Sequence, residues 1–196
     1  MREVKDLRPI DPIARRWSPR AFSDRPVEPE KLRSIFEAAR LAPSSANEQP
    51  WRFIVATRDE PESHQALYAC LREGNQVWAG VAPVLMLTLA RATYAKSGGE
   101  NRHAWHDVGL AVALLSVQAT ALGLYLHQMA GILPERARRR FDVPEPFEVV
   151  SAIALGYLGD ASGLPEDLQA RERRSRSRKS LSEIVFAGRF GKPADL

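Results

Sequence analysis

Four uncharged polar side chains lie between two prolines, Pro43 and Pro50. Such side chains donate and accept hydrogen bonds without adding charge, so the segment could line a flat heteroaromatic ring. The prolines restrict the residues before them to extended backbone, which ends a preceding helix and holds the far end of the loop open. The same residue types favour turns for local reasons, and taken alone the segment is better explained as an ordinary turn. The four are Ser44, Ser45, Asn47 and Gln49.

Arginines alternate with other residues in two distant segments, at Arg16, Ser18 and Arg20 and again at Arg176 and Arg178. In an extended segment, alternate residues leave the backbone on the same face. Guanidinium groups are permanently charged and bind pairs of oxygen atoms, which suits a phosphate or an electron-rich carbonyl. The chain has no glycine-rich phosphate loop, so a dianion site would require the two segments to meet. Two solvated basic runs would explain the same spacing.

The distribution of charge argues against a general binder of nucleic acid. The formal net charge is +4, but residues 171–180 contain six basic residues and one acid, which leaves the remainder close to neutral. One basic strip on a nearly neutral body indicates a local anion site or a solvated tail.

The chain is expected to be one cytoplasmic domain. Its 196 residues, 44% of them hydrophobic, are enough for a single core. Cys70 is the only cysteine, which excludes an internal disulfide and fits a reducing compartment. Residues 1–8 have no apolar signal region. Polar residues interrupt the longest apolar stretch, 108–126, so a buried helix is expected there and no membrane span.

Hydrophobic periodicity and proline positions predict alternating helices and strands in a mixed layer structure. The predicted helices cover 29–41, 60–72, 106–122 and 134–141, and the predicted strands cover 51–57, 84–90 and 149–158. A flexible loop is expected over 94–105, irregular structure over 124–132, and an arm outside the compact body after Gly159.

Several segments occur in an order that resembles the FMN-dependent nitroreductase family. They are Arg-x-Ser-x-Arg-x-Phe from Arg16, Ala-Pro-Ser-Ser-x-Asn-x-Gln-Pro-Trp from Ala42, Asp107-Val-Gly-Leu-Ala, Ala-Thr-Ala-Leu-Gly ending at Gly123, and Arg-x-Arg-Lys-Ser-Leu-Ser-Glu-Ile-Val from Arg176. Each segment is weak alone, but the set covers most of the chain and is specific to the family.

The resemblance implies an α+β fold with a mixed, largely antiparallel central sheet flanked by helices. Residues 1–196 would form one domain in an intertwined homodimer, with residues 160–196 as its C-terminal arm. FMN would be the cofactor, NADH or NADPH the electron donor, and a small molecule the electron acceptor. Neither nucleic acid nor a membrane is an expected partner.

The resemblance also assigns roles to residues. Arg16, Ser18, Arg176 and Arg178 would hold the FMN phosphate, Trp17 would add a backbone or stacking contact, and Arg20 would reach the flavin N1 and C2 carbonyl. The other subunit would supply Pro43, Ser44, Ser45 and Asn47. Gln76, or else Asn75, would lie at the pyrimidine edge. Gln128, Met129, Ala130 and Gly131 would follow the flavin face, with the Ala130 N–H at N5 and no catalytic side chain.

The expected activity is the reduction of nitroaromatic, quinone or related acceptors by ping-pong hydride transfer through flavin N5. Many relatives have Pro-x-Glu-Gly where this chain has Gln128-Met-Ala-Gly131, so a carboxylate is absent at that place. The alternative is a non-redox flavin-binding or nucleotide-binding module, or a regulatory protein. Weaker alternatives are a metal site at His103, His106 and Asp107, and a hydrolase triad built on His127.

Overall fold

The computed structural model describes residues 9–195 as seven helices and one four-stranded antiparallel sheet. The helices are α1 (Asp11–Arg15), α2 (Pro29–Arg40), α3 (Pro61–Tyr68), α4 (Glu73–Ala79), α5 (Ala104–Ala121), α6 (Pro134–Arg140) and α7 (Glu166–Glu172). The strands are β1 (Trp51–Thr57), β2 (Val84–Arg91), β3 (Tyr125–Met129) and β4 (Phe147–Gly156). Their order in the sheet is β1-β2-β4-β3. Residues 1–8, on which the expectation of no signal region depends, lie outside the described part.

The sheet separates two hydrophobic cores. Alternate residues of a strand face opposite sides, and the apolar run of β2 accordingly sends Leu85 and Leu87 into one core and Val84 and Met86 into the other. Helices α3, α4 and α6 cover the first core, and α2 and α5 cover the second. A central strand that is buried on both faces explains why its sequence is apolar at every position from Val84 to Ala90 except Thr88. The expected α+β class is confirmed.

One buried polar pair crosses the two central strands. Thr88 lies on β2 opposite Ser151 on β4, and their hydroxyl oxygens are 2.8 Å apart. The register shifts directly after Thr88, where the β2–β4 ladder has a bulge. Buried hydroxyls need hydrogen-bond partners, and this pair satisfies itself inside the sheet.

Two sequence-based predictions of secondary structure were wrong. Residues 124–132 were expected to be irregular, but 125–129 form β3, which pairs with β4 from Tyr125 opposite Gly156 to Met129 opposite Ala152. The helix expected over 60–72 ends at Tyr68 and is followed by a second helix, α4. Both errors arise because tertiary partners override weak local patterns: β3 is short and contains two polar residues, and α4 begins beside Gly74 and Asn75.

The N-terminus of α2 is fastened to the end of β4 through Tyr157. The Tyr157 hydroxyl donates to Glu28 Oε2 at 2.6 Å and accepts from Lys31 Nζ at 2.6 Å. Arg25 lies over the Tyr157 ring, 4.1 Å from its centroid, and donates to Glu28 Oε1. The hydrogen bond from Tyr157 is the largest cause that lowers the Glu28 pKa, to about 2.

Replacing Tyr157 with phenylalanine is expected to raise the Glu28 pKa towards its ordinary value near 4.5. A carboxyl whose pKa is lower in the folded state stabilises that state above its unfolded pKa and loses the contribution as pH falls through the folded pKa. The wild type should therefore lose this contribution between about pH 4.5 and 2, whereas Tyr157→Phe should show a flatter dependence there. Urea unfolding at a series of pH values, with Tyr125→Phe as the control, measures the difference. Identical pH profiles for the wild type and Tyr157→Phe would contradict the assignment.

Candidate functional site

The N-terminal segment with the alternating arginines is held against the sheet by backbone hydrogen bonds. Ser23 N donates to Tyr157 O at 2.9 Å, and Gly159 N donates to Ala21 O at 3.0 Å. His127 of β3 lies beside the same segment, with its Nδ1 2.9 Å from Pro19 O. Burial is the largest cause that lowers the His127 pKa. These contacts hold residues 19–23 beside β3 and the end of β4. They therefore also determine the direction in which the preceding segment, which carries Arg16, extends.

The two arginine segments meet in space, although they are about 160 residues apart in the sequence. Arg176 donates to Arg16 O at 2.6 Å and to Ala14 O at 2.5 Å. Ser18 accepts from Arg16 Nη1 at 3.5 Å. The Arg16 pKa is lowered, first by partial burial and then by the charges of Arg178 and Arg176. The cavity beside them, of about 460 Å³, is lined by Pro9, Ile13, Ala14, Arg16, Arg176 and Arg178.

These arginines, named here the arginine cluster (Arg16, Arg176 and Arg178), have the properties of an anion site. Like charges that lie close together repel one another, and an anion of charge −2 relieves that repulsion. Guanidinium groups also present several donors in fixed directions, which suits the oxygens of a phosphate. The sequence predicted a dianion site only if the two ends of the chain came together, and the structure satisfies that condition.

Arg20 is paired with an acid that the sequence analysis did not single out. Glu172, the last residue of α7, accepts from Arg20 N at 3.0 Å and lies 3.5 Å from Arg20 Nη1. The Glu172 carboxylate also accepts from Ala21 N at 3.5 Å. In the sequence, Glu172 is the single acid among the arginines of residues 171–180. The only local signal was its negative charge in an otherwise basic segment, because its partner Arg20 lies 152 residues away.

The end of β3 presents backbone and a small residue. Gln128 and Ala130 are exposed, whereas Met129 is buried in the core, so any ligand at this place would meet the Met129 backbone and not its side chain. Within residues 9–195, the Ala130 N–H donates to no backbone carbonyl. A Cβ on Gly131 would lie 2.6 Å from Asn75 Nδ2, so a side chain at this position would displace the Asn75 amide.

Asn75 and Gln76, the two alternatives for the pyrimidine edge, make different contacts. Gln76 Nε2 donates to Tyr68 O at 3.2 Å and to Leu71 O at 3.1 Å, so its amide group closes the turn between α3 and α4. Asn75 Nδ2 donates to Gly131 O at 2.9 Å, which places it against the end of β3. Of the two amides, that of Asn75 lies against the end of β3, and which of them meets the pyrimidine edge of a flavin stays a prediction.

The polar loop after Pro43 packs against α5, away from the arginine cluster. Ser45 N donates to the buried Asp107 of α5 at 3.0 Å, and Gln49 N donates to Ser44 Oγ at 3.0 Å. Asn47 has a φ of 55° and Gln49 a φ of 49°. Residues other than glycine rarely adopt such angles, and they do so where surrounding contacts impose a defined shape. None of these hydrogen bonds reaches the arginine cluster, so within one chain the loop and the cluster form separate surfaces.

Comparison with known protein families identifies the fold. The model of the nitroreductase family matches residues 13–73 and 59–157, which together include the Arg16 to Phe22 segment, the Pro43 loop and all four strands. The chain belongs to the nitroreductase family. The family recognised from the sequence segments is therefore confirmed, and with it the expectation of an oxidoreductase.

Several relatives and solved structures resemble the chain over most of its length. A crystal structure described as an oxidoreductase containing FMN is 40% identical, covers 96% of each chain and has a TM-score of 0.88. A putative NADH dehydrogenase/NAD(P)H nitroreductase of Archaeoglobus fulgidus is 30% identical over 76% of this chain and 84% of its own length. An FMN reductase [NAD(P)H] of Bacillus subtilis is 27% identical over 86% of this chain and 74% of its own length.

The other sites considered for this nitroreductase-family chain receive no support from its contacts. His127 contacts Pro19 O and the ring of Trp78, 4.6 Å away, whereas Asp107 contacts Ser45 N and His106. A triad of serine, His127 and Asp107 is thus not assembled. In the part of the chain that the structure describes, no three His, Cys, Asp or Glu residues are grouped for a metal ion. None of the described helices has the length and apolar content to cross a membrane.

Proposed function

We propose that the protein is an FMN-dependent NAD(P)H oxidoreductase that reduces nitroaromatic, quinone or related acceptors. The observation that carries the proposal is the arginine cluster, in which the two ends of the chain converge beside a cavity of about 460 Å³. When bound, FMN would supply hydride transfer through N5, from the nicotinamide to a second, oxidised substrate in a ping-pong cycle. The names of the FMN-containing and NAD(P)H-dependent relatives support both cofactors.

The donor groups of the described residues fit the parts of FMN. The arginine cluster and the Ser18 hydroxyl would hold the phosphate, since three cations line one cavity and Ser18 contacts Arg16 beside it. Trp17 would add the contact that the family resemblance assigns to it. Arg20 and Asn75 would lie at the pyrimidine edge, and Gln128 and Met129 would line the flavin face through exposed side chain and backbone.

The chain's own contribution to the chemistry would be electrostatic. Negative charge develops at the pyrimidine edge of a flavin on reduction, and the permanent charge of Arg20 would stabilise it. The Ala130 N–H, which donates to no backbone carbonyl in the described residues, would donate to N5. Gly131 would keep the backbone close, because a side chain there would displace Asn75. No nucleophile is needed.

A homodimer would complete the site. The hydrogen bonds of Ser44 and Ser45 lie away from the arginine cluster, so these residues would face the flavin of a partner subunit, together with Pro43 and Asn47. Two surfaces support such a partner. Trp105 and Leu114 of α5 are apolar and exposed, and in residues 160–195 only Leu168 is buried. Exposed apolar surface of this kind is typical of an interface. A cytoplasmic location stays a prediction.

Anaerobic reduction of the FMN-loaded protein tests the proposal. On mixing with NADH or NADPH, the absorbance of bound FMN near its visible maximum should bleach, and a nitroaromatic or quinone should restore it without further nicotinamide. Stopped-flow absorbance with each nicotinamide, followed by a panel of acceptors, measures both half-reactions. A protein that binds FMN but does not bleach with either nicotinamide would be a non-redox flavin-binding module.

A further inference from the structure

Glu172 makes the most buried ion pair among residues 9–195. Its side chain is 5% exposed and that of Arg20 is 24% exposed, whereas every other pair has at least one side chain that is 37% exposed or more. A buried carboxylate is costly unless its oxygens are hydrogen-bonded. Here, Oε2 accepts from the N–H groups of Arg20 and Ala21, and Oε1 faces Arg20 Nη1.

The two oxygens of this carboxylate have separate roles. The contacts of Oε2 with two backbone N–H groups join α7 to the N-terminal segment, and a neutral amide oxygen could make them as well. The contact of Oε1 is with the Arg20 side chain at 3.5 Å. A role confined to joining α7 to the N-terminal segment does not need this second contact, nor does it need a charge. A role that acts on the Arg20 guanidinium needs both the Oε1 contact and the negative charge.

We propose that Glu172 is the positioning residue of Arg20: it holds the guanidinium at the pyrimidine edge of the flavin and offsets part of its charge, so that the reduction potential is lower than Arg20 alone would set. This inference rests on the proposed flavin site. Arg20 has five N–H donors in a fixed plane and uses one of them on Glu172, which leaves others for a ligand. The carboxylate adds a negative charge close to where reduction places another, and the two repel.

The reduction potential of bound FMN in Glu172→Gln tests this inference. Glutamine keeps the size of the side chain and an oxygen for the backbone N–H groups, but it removes the charge. The ratio of affinities for reduced over oxidised FMN should rise about tenfold, which corresponds to a potential more positive by about 30 mV for a two-electron couple. Equilibration with reference dyes under anaerobic conditions measures the potential. Glu166→Gln, the same change at an exposed position of α7, is the matched control and should match the wild type.

Glu172→Asp separates charge from structure. Aspartate keeps the negative charge and shortens the side chain, so its potential should stay close to that of the wild type even if the melting temperature of the FMN-free protein falls. Two results would overturn the inference: an unchanged or lower potential in Glu172→Gln, or equal shifts in Glu172→Asp and Glu172→Gln. A wild type that is not reduced by nicotinamide would instead contradict the proposed function itself, so the two failures are distinguishable.

Discussion

FMN binding should weaken by roughly 100-fold when Arg16 is replaced by glutamine, because the phosphate loses a charge-assisted hydrogen bond in a partly buried site. The Arg16 carbonyl accepts from Arg176, the Arg16 guanidinium donates to Ser18 Oγ, and the Arg16 pKa is lowered by burial and by the neighbouring arginines. A site of mutually repelling cations gains most when a dianion enters it. Titration of the FMN-free protein, followed by quenching of flavin fluorescence, gives the dissociation constant.

Riboflavin provides the decisive control for Arg16→Gln, because it has the same ring system and no phosphate. Its affinity should be nearly equal for the wild type and the variant. Arg33→Gln makes the same charge change at an exposed position of α2 and should leave the affinity for FMN unchanged. If Arg16→Gln weakened riboflavin as much as FMN, the loss would come from the ring site or from folding, and the phosphate assignment would be wrong.

The central elements of the fold were predictable because their local pattern agrees with their tertiary environment. The run 84–90 is apolar except for Thr88 and becomes β2, which is buried on both faces. The stretch 108–126 was interpreted as a buried helix, and most of it is α5. By contrast, β3 contains His127 and Gln128 and exists as a strand because β4 supplies its hydrogen-bond partners. The predicted strand that contains the partner of β3 begins 22 residues after His127, so no local pattern indicated the pairing.

The candidate site was predictable only where residues close together in the sequence form a recognisable pattern. Alternation at Arg16, Ser18 and Arg20 is visible locally, and so is the second pair at Arg176 and Arg178, whereas their convergence follows from the fold. Glu172 reads in the sequence as an acid within a basic strip, and its function as a partner of Arg20 depends on how α7 docks. Which amide reaches Gly131, that of Asn75 or that of Gln76, likewise depends on the fold.

Gly159 determines how closely the N-terminal segment approaches the end of β4. A Cβ at this position would lie 2.3 Å from Phe22 O, 2.4 Å from Phe22 C and 2.7 Å from Ser23 N. All three are backbone atoms, so no side-chain rotation relieves the clash. The same backbone is held by the hydrogen bonds from Gly159 N to Ala21 O and from Ser23 N to Tyr157 O. An added methyl group must therefore displace the segment that carries Arg20.

Replacing Gly159 with alanine should lower the free energy of unfolding by roughly 1–3 kcal/mol, the range typical when an extra methyl group is forced into a packed position. It should also weaken FMN binding, because residues 16–20 can no longer keep their positions relative to Glu172, Arg176 and Arg178. Urea unfolding of the FMN-free protein measures the first effect, and flavin fluorescence the second. The matched control is Gly163→Ala, where an added Cβ meets no atom within 4 Å. Equal unfolding free energies for the two variants would show that the N-terminal segment moves away without cost, and the close approach at Gly159 would then not be what positions Arg20.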